Sequence, residues 1–177
     1  MGKAMVIYKS KYGSTKQYAQ WIAEALDADL FDVAKISAQD LGQYQTIVYG
    51  GGLYASGIIG SDFLVKNYVL LKEKRIVVFT VGLAKPQLTD YTKIIEMNFP
   101  PEMRETIKIF HLRGAMDYKH INIKHKAMMA LLIKKIKKIE EKDRDKEVKL
   151  MLQTYGQTVD FTDKSTIDGL VEYCKAH

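Results

Sequence analysis

Short apolar runs alternate with longer stretches in which apolar side chains recur every three or four positions, and this alternation organises the chain. Ala4–Tyr8, Ile47–Tyr49, Ile76–Thr80 and Ile107–Leu112 are the runs, and their near-continuous apolar character is that of strands covered on both faces. Asp29–Val33 is a weaker run that fits an edge strand. Between these lie amphipathic patterns at Thr15–Leu26, Ser61–Lys72 and Leu88–Met97, and another at Ser165–Lys175 closes the chain. Each crossover is long enough for a helix. The pattern therefore predicts an α/β domain, a five-stranded open parallel sheet with right-handed crossovers and helices on both faces.

One stretch exceeds that plan. After His111-Leu112-Arg113-Gly114-Ala115-Met116, nearly fifty residues precede the last helix, so an insertion is expected at about 117–163 within a single domain spanning 1–177. Its first part, Ile121 to Ile139, is helical by pattern. Met129, Leu132, Ile133, Ile136 and Ile139 form a stripe with lysines elsewhere on the wheel. Such a stripe either lies on the core or offers a face to a membrane or a partner. Tyr118, Tyr155 and Phe161 flank it.

The chemistry is expected where strands end. Ser10-Lys11-Tyr12-Gly13-Ser14-Thr15 joins the first strand to the first helix, aiming unpaired N–H groups and the positive end of the helix at one point beyond the sheet. Ser10, Ser14 and Thr15 offer hydroxyls to a phosphate monoester, Gly13 permits a tight backbone approach, and Lys11 or Lys16 supplies charge. The competing reading is that Ser14 or Thr15 only caps the helix. Gly50-Gly51-Gly52-Leu53-Tyr54 leads into a glycine-rich loop that runs to Gly57, which suits close contact with a planar group. Thr80-Val81-Gly82-Leu83-Ala84 follows the fourth strand and offers backbone groups to the edge of a heterocycle. In open α/β sheets such loops converge where the winding reverses.

Composition adds boundaries. The 177 residues are 47% hydrophobic, enough for one well-packed core. The apolar run near the N-terminus is too short for a signal peptide or a membrane span, so a cytoplasmic protein is expected. A single cysteine, Cys174, forms no internal disulfide and reads as a small apolar residue of the last helix; with four scattered histidines it gives no zinc spacing. The net charge of +6 is concentrated around Lys134, Lys135, Lys137 and Lys138. No nucleic-acid-binding motif accompanies them, so they read as solvated lysines and no nucleic-acid partner is expected.

With those residues assembled, the chain resembles the flavodoxin family over essentially its whole length. Ser10, Gly13 and Thr15 match the family's phosphate loop: a hydroxyl residue, two variable residues, glycine, a variable residue, threonine. The resemblance implies strand order 2-1-3-4-5 and FMN at the switch point. It implies that the flavin ring lies between Gly50–Tyr54 and Thr80–Ala84, with Tyr54 stacked on it, a backbone group of Gly50–Gly52 at its N5 position, and Gly114 beside it. Within the family the chain is similar to the flavodoxin-type, quinone-dependent protoporphyrinogen dehydrogenases, which carry an insertion after the fifth strand. That likeness implies an oxidoreductase at a membrane surface with quinone as acceptor, docked peripherally through 118–149. The wider family implies electron transfer with a redox partner protein. Arg113 either points toward the ring or packs on the fifth strand.

Two features depart from electron-carrier flavodoxins: the chain is basic where they are acidic, and Thr80–Ala84 carries no aromatic residue. Other readings of the fold fail on residues. A phosphoacceptor receiver needs acids after the first strand and an aspartate ending the third, where Tyr8-Lys9 and Gly50 stand, and neither a triphosphate P-loop nor a dinucleotide fingerprint is present. A flavin-free binding or scaffold protein is the alternative of another class.

Overall fold

The computed structural model describes residues 3–54, 57–144 and 146–176. Strand β1 (Ala4–Lys9) lies inside a parallel sheet, next to its edge strand. It pairs with β2 (Asp29–Asp32) on one side and β3 (Thr46–Tyr54) on the other, and β3 pairs in turn with β5 (Arg75–Gly82) and β5 with β6 (Ile107–Arg113). A two-residue strand, β4 (Gly57–Ile58), folds back antiparallel on the end of β3. The order β2-β1-β3-β5-β6 is the expected 2-1-3-4-5 winding with β4 interposed.

Strand alternation divides the core into two layers. Val6, Val48, Val77 and Phe79 face α1 (Ser14–Leu26) and α8 (Asp168–Lys175), meeting Tyr18, Ala19, Ile22 and Leu26 from the first and Leu170 and Cys174 from the second. Met5, Ile7, Ile47, Tyr49, Ile76 and Val78 face the opposite layer, where α2 (Asp62–Lys66), α3 (Tyr68–Leu71), α4 (Thr92–Asn98) and α5 (Pro101–Arg104) bring Leu64, Leu71 and Met103, and Phe99 joins them. These side chains are essentially removed from water, each contributing about 1.5–3 kcal/mol by burial. Cys174 is buried among them, and burial pushes its thiol up to about 11.

Several boundaries depart from the sequence pattern for identifiable reasons. The third strand does not stop at Tyr49. It runs on through the glycines because β1 and β5 hold it from both sides, pairing Gly50 with Tyr8 and Phe79, and Gly51 with Lys9 and Thr80. The expected loop at Gly50–Gly57 is thus strand as far as Tyr54, and Ala55 and Ser56 lie outside the described residues. The single helix expected at Ser61–Lys72 is two short ones parted at Asn67, whose side chain donates to the Phe63 carbonyl (2.8 Å). Leu88–Met97 begins as a 3₁₀ turn at Pro86–Leu88, and the α-helix starts only at Thr92.

The insertion holds more than one helix. Strand β7 (Ala115–Asp117) pairs antiparallel with β8 (Thr158–Asp160), and between them lie α6 (Ile123–Ile136) and α7 (Lys146–Thr154). Asn122 caps α6, its side chain accepting from the His125 amide (2.9 Å). The expected stripe is split: Ile133 and Ile136 are buried, while Ile139 is more than a third exposed.

Gly50 has a packing reason for lacking a side chain, because a methyl group there would enter the Phe79 ring. Gly50→Ala is expected to lower stability by about 1–3 kcal/mol through overpacking, read from urea unfolding midpoints. A second expectation concerns His111 on β6. Its ring stacks on Tyr91 (centroids 3.5 Å apart, 7° between planes), Nδ1 bonds the Thr80 hydroxyl (2.6 Å), and burial pushes its pKa down to about 4 from 6.5. The folded state keeps this ring neutral, so between those two values the unfolded chain binds more protons and stability falls as pH falls. Unfolding midpoints measured from pH 7 to 4 will show that loss, and His111→Gln will flatten it.

Candidate functional site

Strand β1 ends at Lys9 and α1 begins at Ser14, so the chain reverses within four residues. Gly13 makes this possible with φ of +102°, a conformation that a side chain would strain. It stands at the N-cap and no side chain caps the helix there, nor does an acid occupy the first turn. The first amides of this 13-residue helix therefore lack acceptors within it and point out of the sheet. Ser10 Oγ accepts from the Gly13 amide (3.1 Å) and Ser14 Oγ accepts from the Ala115 amide (2.9 Å). As acceptors in these bonds, both hydroxyls keep a hydrogen to donate. Thr15 is buried at the same junction. The reading of Ser14 or Thr15 as the cap does not hold, because Gly13 takes that position.

These residues border a cavity of about 530 Å³ at the carboxyl ends of the strands. Ser10, Lys11, Tyr12, Ser14 and Thr15 line it from the first junction, Gly52, Leu53 and Tyr54 from the end of β3, Val81, Gly82, Leu83 and Ala84 from the end of β5, and Gly114 from beyond β6. Four candidates lie elsewhere. Gly50 and Gly51 are inside the sheet, where the lack of a side chain accommodates Phe79 in one case and Ile58 and Ile59 in the other. Thr80 is fully buried in β5 and engaged with His111. Gly13 shapes the turn without lining the cavity. The Gly52 carbonyl accepts from the Ile59 amide (3.0 Å), which ties it into the hairpin.

The rest of the wall comes from the insertion, which roofs the cavity. His125, Met128, Met129 and Leu132 project from α6, Leu150, Met151 and Thr154 from α7, and Met116, Val159 and Phe161 from the β7–β8 ribbon and its end. Tyr118 and Tyr155 meet across the roof, one hydroxyl donating to the other (3.0 Å). The sequence did carry a signal for this face. His125, Met128, Met129 and Leu132 follow helical spacing, yet one histidine among lysines does not by itself announce a site. Arg113 is not among the lining residues and engages two of them: its guanidinium lies 3.7 Å over the Phe161 ring and Nε donates to the Leu83 carbonyl (3.1 Å).

His125 is the point where roof and floor touch. It is 5% exposed. Its ring lies 3.8 Å from that of Tyr54, Nδ1 bonds the Tyr12 hydroxyl, and Nε2 is 3.5 Å from Lys11 Nζ. Burial, and then the Lys11 charge, holds the imidazole below its usual pKa. An ammonium can only donate, so the arrangement makes Nε2 the acceptor and Nδ1–H the donor to Tyr12. Lys11 also lies 4.6 Å above the Tyr54 ring. No aspartate, glutamate or cysteine lines the cavity among the described residues, and those residues contain no cluster of metal-binding side chains.

The chain is similar to several known proteins. The Methanocaldococcus jannaschii protein MJ0298 is 26% identical over 132 residues, covering 68% of this chain and 88% of its own. Among solved structures, a flavodoxin from the domain Archaea aligns with TM-score 0.47 and 18% identity over 63% of this chain and 82% of that one. A Lactobacillus acidophilus flavoprotein in complex with FMN aligns with TM-score 0.43 and 14% identity over 64% and 93% of the two chains. The family described as flavodoxin domain matches residues 5–147, which span the whole parallel sheet and α6. By that match the chain belongs to the flavodoxin domain family.

Proposed function

We propose that the cavity binds FMN and that the protein is a redox protein transferring electrons through it. The observation that carries this reading is the uncapped start of α1 opening into the same cavity as the ends of β3 and β5. The donor set fits a phosphate monoester. It combines backbone amides, the hydroxyls of Ser10, Ser14 and Thr15, and the ammonium of Lys11, with no acid to repel an anion. The cavity volume lies in the range of small-molecule sites. Tyr54 and the backbone of Gly82–Ala84 would hold the ring.

FMN supplies reversible one- and two-electron transfer when bound. The chain's own residues set its surroundings. The amides and hydroxyls at α1 anchor the phosphate, Tyr54 offers a ring face, and Met128, Met129 and Leu132 keep bulk water from the apolar side of the cavity. Lys11 is the one Lys or Arg among the described lining residues, so positive charge enters from the phosphate side. The electron donor and acceptor are a redox partner protein or a quinone.

A second reading, an oxidoreductase working at a membrane surface, is favoured by the outer side of α6. Ile123 and Leu131 are 85% and 69% exposed there, beside exposed Lys124, Lys134, Lys135 and Lys138. An apolar strip edged with lysines suits the interface of an anionic bilayer. No helix among the described residues is long and apolar enough to cross a membrane.

The first reading is tested by titrating the protein with FMN and with riboflavin, following flavin fluorescence. FMN is expected to bind at least about a hundredfold more tightly. Ser10→Ala and Thr15→Ala are each expected to weaken FMN by roughly tenfold to a hundredfold, the worth of a hydrogen bond to a charged group, while leaving riboflavin affinity unchanged. Equal affinity for the two flavins would remove the phosphate site, and no uptake of either would leave a flavin-free binding protein. For the second reading, the protein is expected to sediment with vesicles containing phosphatidylserine and not with neutral ones. Ile123→Asp with Leu131→Asp should release it; sedimentation unaffected by that pair would exclude α6 as the docking face.

A further inference from the structure

His125 is drawn into the site by the insertion, and its chemistry differs from that of every other lining residue. Imidazole is the one side-chain type in the described wall that exchanges a proton near neutral pH. The wall holds no carboxylate to balance charge from the other direction, and its fixed positive charge is Lys11 alone. Electrons delivered to a ligand in such a cavity bring negative charge into a largely apolar space. Among the described lining residues the imidazole able to answer with a proton is His125.

We propose that His125 is the redox-linked proton acceptor of the site. It takes one proton from bulk water onto Nε2 for each pair of electrons that a low-potential reductant delivers to the bound flavin, and returns it when an acceptor removes them. The reductant loses two electrons, the flavin gains them with the one proton that its own ring takes up, and the proton on His125 is a second one, also drawn from solvent. This rests on the FMN reading above.

The contacts of His125 supply both the route and the control. Tyr12 is 43% exposed and bonded to Nδ1, and Lys11 is exposed and faces Nε2, so on each side a single group separates the buried ring from water. Lys11 opposes protonation while the cavity carries no added electrons, and incoming negative charge offsets that opposition. The other titratable neighbours are Tyr54 against the ring face and Tyr118 and Tyr155 in the roof. Lys126, next on α6, is turned outward, donating to the Lys119 carbonyl (3.0 Å) and lying 5.9 Å from the Tyr118 ring.

The test uses the FMN-loaded full chain. Imidazole signals of His125, assigned by their loss in His125→Asn, are followed by NMR from pH 5 to 9 in the oxidised protein and after reduction with dithionite. The titration midpoint is expected to rise by at least one pH unit on reduction; equal midpoints overturn the proposal. Spectroelectrochemistry gives an independent readout. Between the two midpoints the wild-type reduction equilibrium should change by an additional tenfold per pH unit relative to His125→Asn, about 30 mV for a two-electron couple. Lys11→Met should move the bend to higher pH, and superimposable wild-type and His125→Asn curves overturn the proposal. Protein that takes up FMN yet shows no shift overturns the proton role alone, whereas protein that takes up no FMN overturns the cofactor reading with it.

Discussion

The site depends on how abruptly β1 becomes α1. Four residues separate the end of a strand buried on both faces from the first turn of a 13-residue helix, and the turn closes only because Gly13 accepts a positive φ. Packing then fixes the helix. Tyr18, Ala19, Ile22 and Leu26 bury against the sheet, so α1 cannot tilt to satisfy its own leading amides. They stay aimed outward, an arrangement a free helix would exchange for a capping side chain. The core on one side of the turn thereby sets the electrostatics on the other.

This dependence extends to the insertion. Ser14 Oγ holds the Ala115 amide and Tyr18 donates to the Arg113 carbonyl (2.7 Å) while accepting from the Asp163 amide (3.0 Å). The helix that presents the anion cradle thus also holds both ends of the insertion. Arg113 adds a tie through Phe161 and the Leu83 carbonyl. Because Leu83 lines the cavity, the roof is coupled to one of its walls through a planar cation.

How legible this was depended on whether the signal was local. Apolar runs exposed the strands, since each run had to be covered on both faces, and right-handed crossovers left few windings, while the order itself came from the family resemblance. The strand-end residues Ser10, Thr15, Gly82 and Ala84 followed from the same rule. Gly50 and Gly51 misled because glycine disfavours strands as an isolated propensity, whereas here β1 and β5 hold the backbone and Phe79 needs the space. Thr80 looked like a loop residue only because its partner, His111, is distant in sequence and adjacent in register. The roof was least legible. Its members come from four separate elements, and what aligns them is tertiary packing with no short-range trace.

The roof changes how the cavity can be reached. A cavity open at the sheet edge presents its ligand to whatever surface docks there, and a protein partner then needs no passage into it. Here α6, α7 and the β7–β8 ribbon stand over that edge with Met128, Met129, Leu132, Leu150 and Met151 turned inward. Methionine is unbranched and polarisable, so such a wall adapts to shape without demanding a particular polar partner. His125, the one imidazole among the described lining residues, enters from the same roof. Apolar adaptability and an imidazole thus arrive together on one insertion, placed over the strand ends where Ser10, Tyr54 and Leu83 converge.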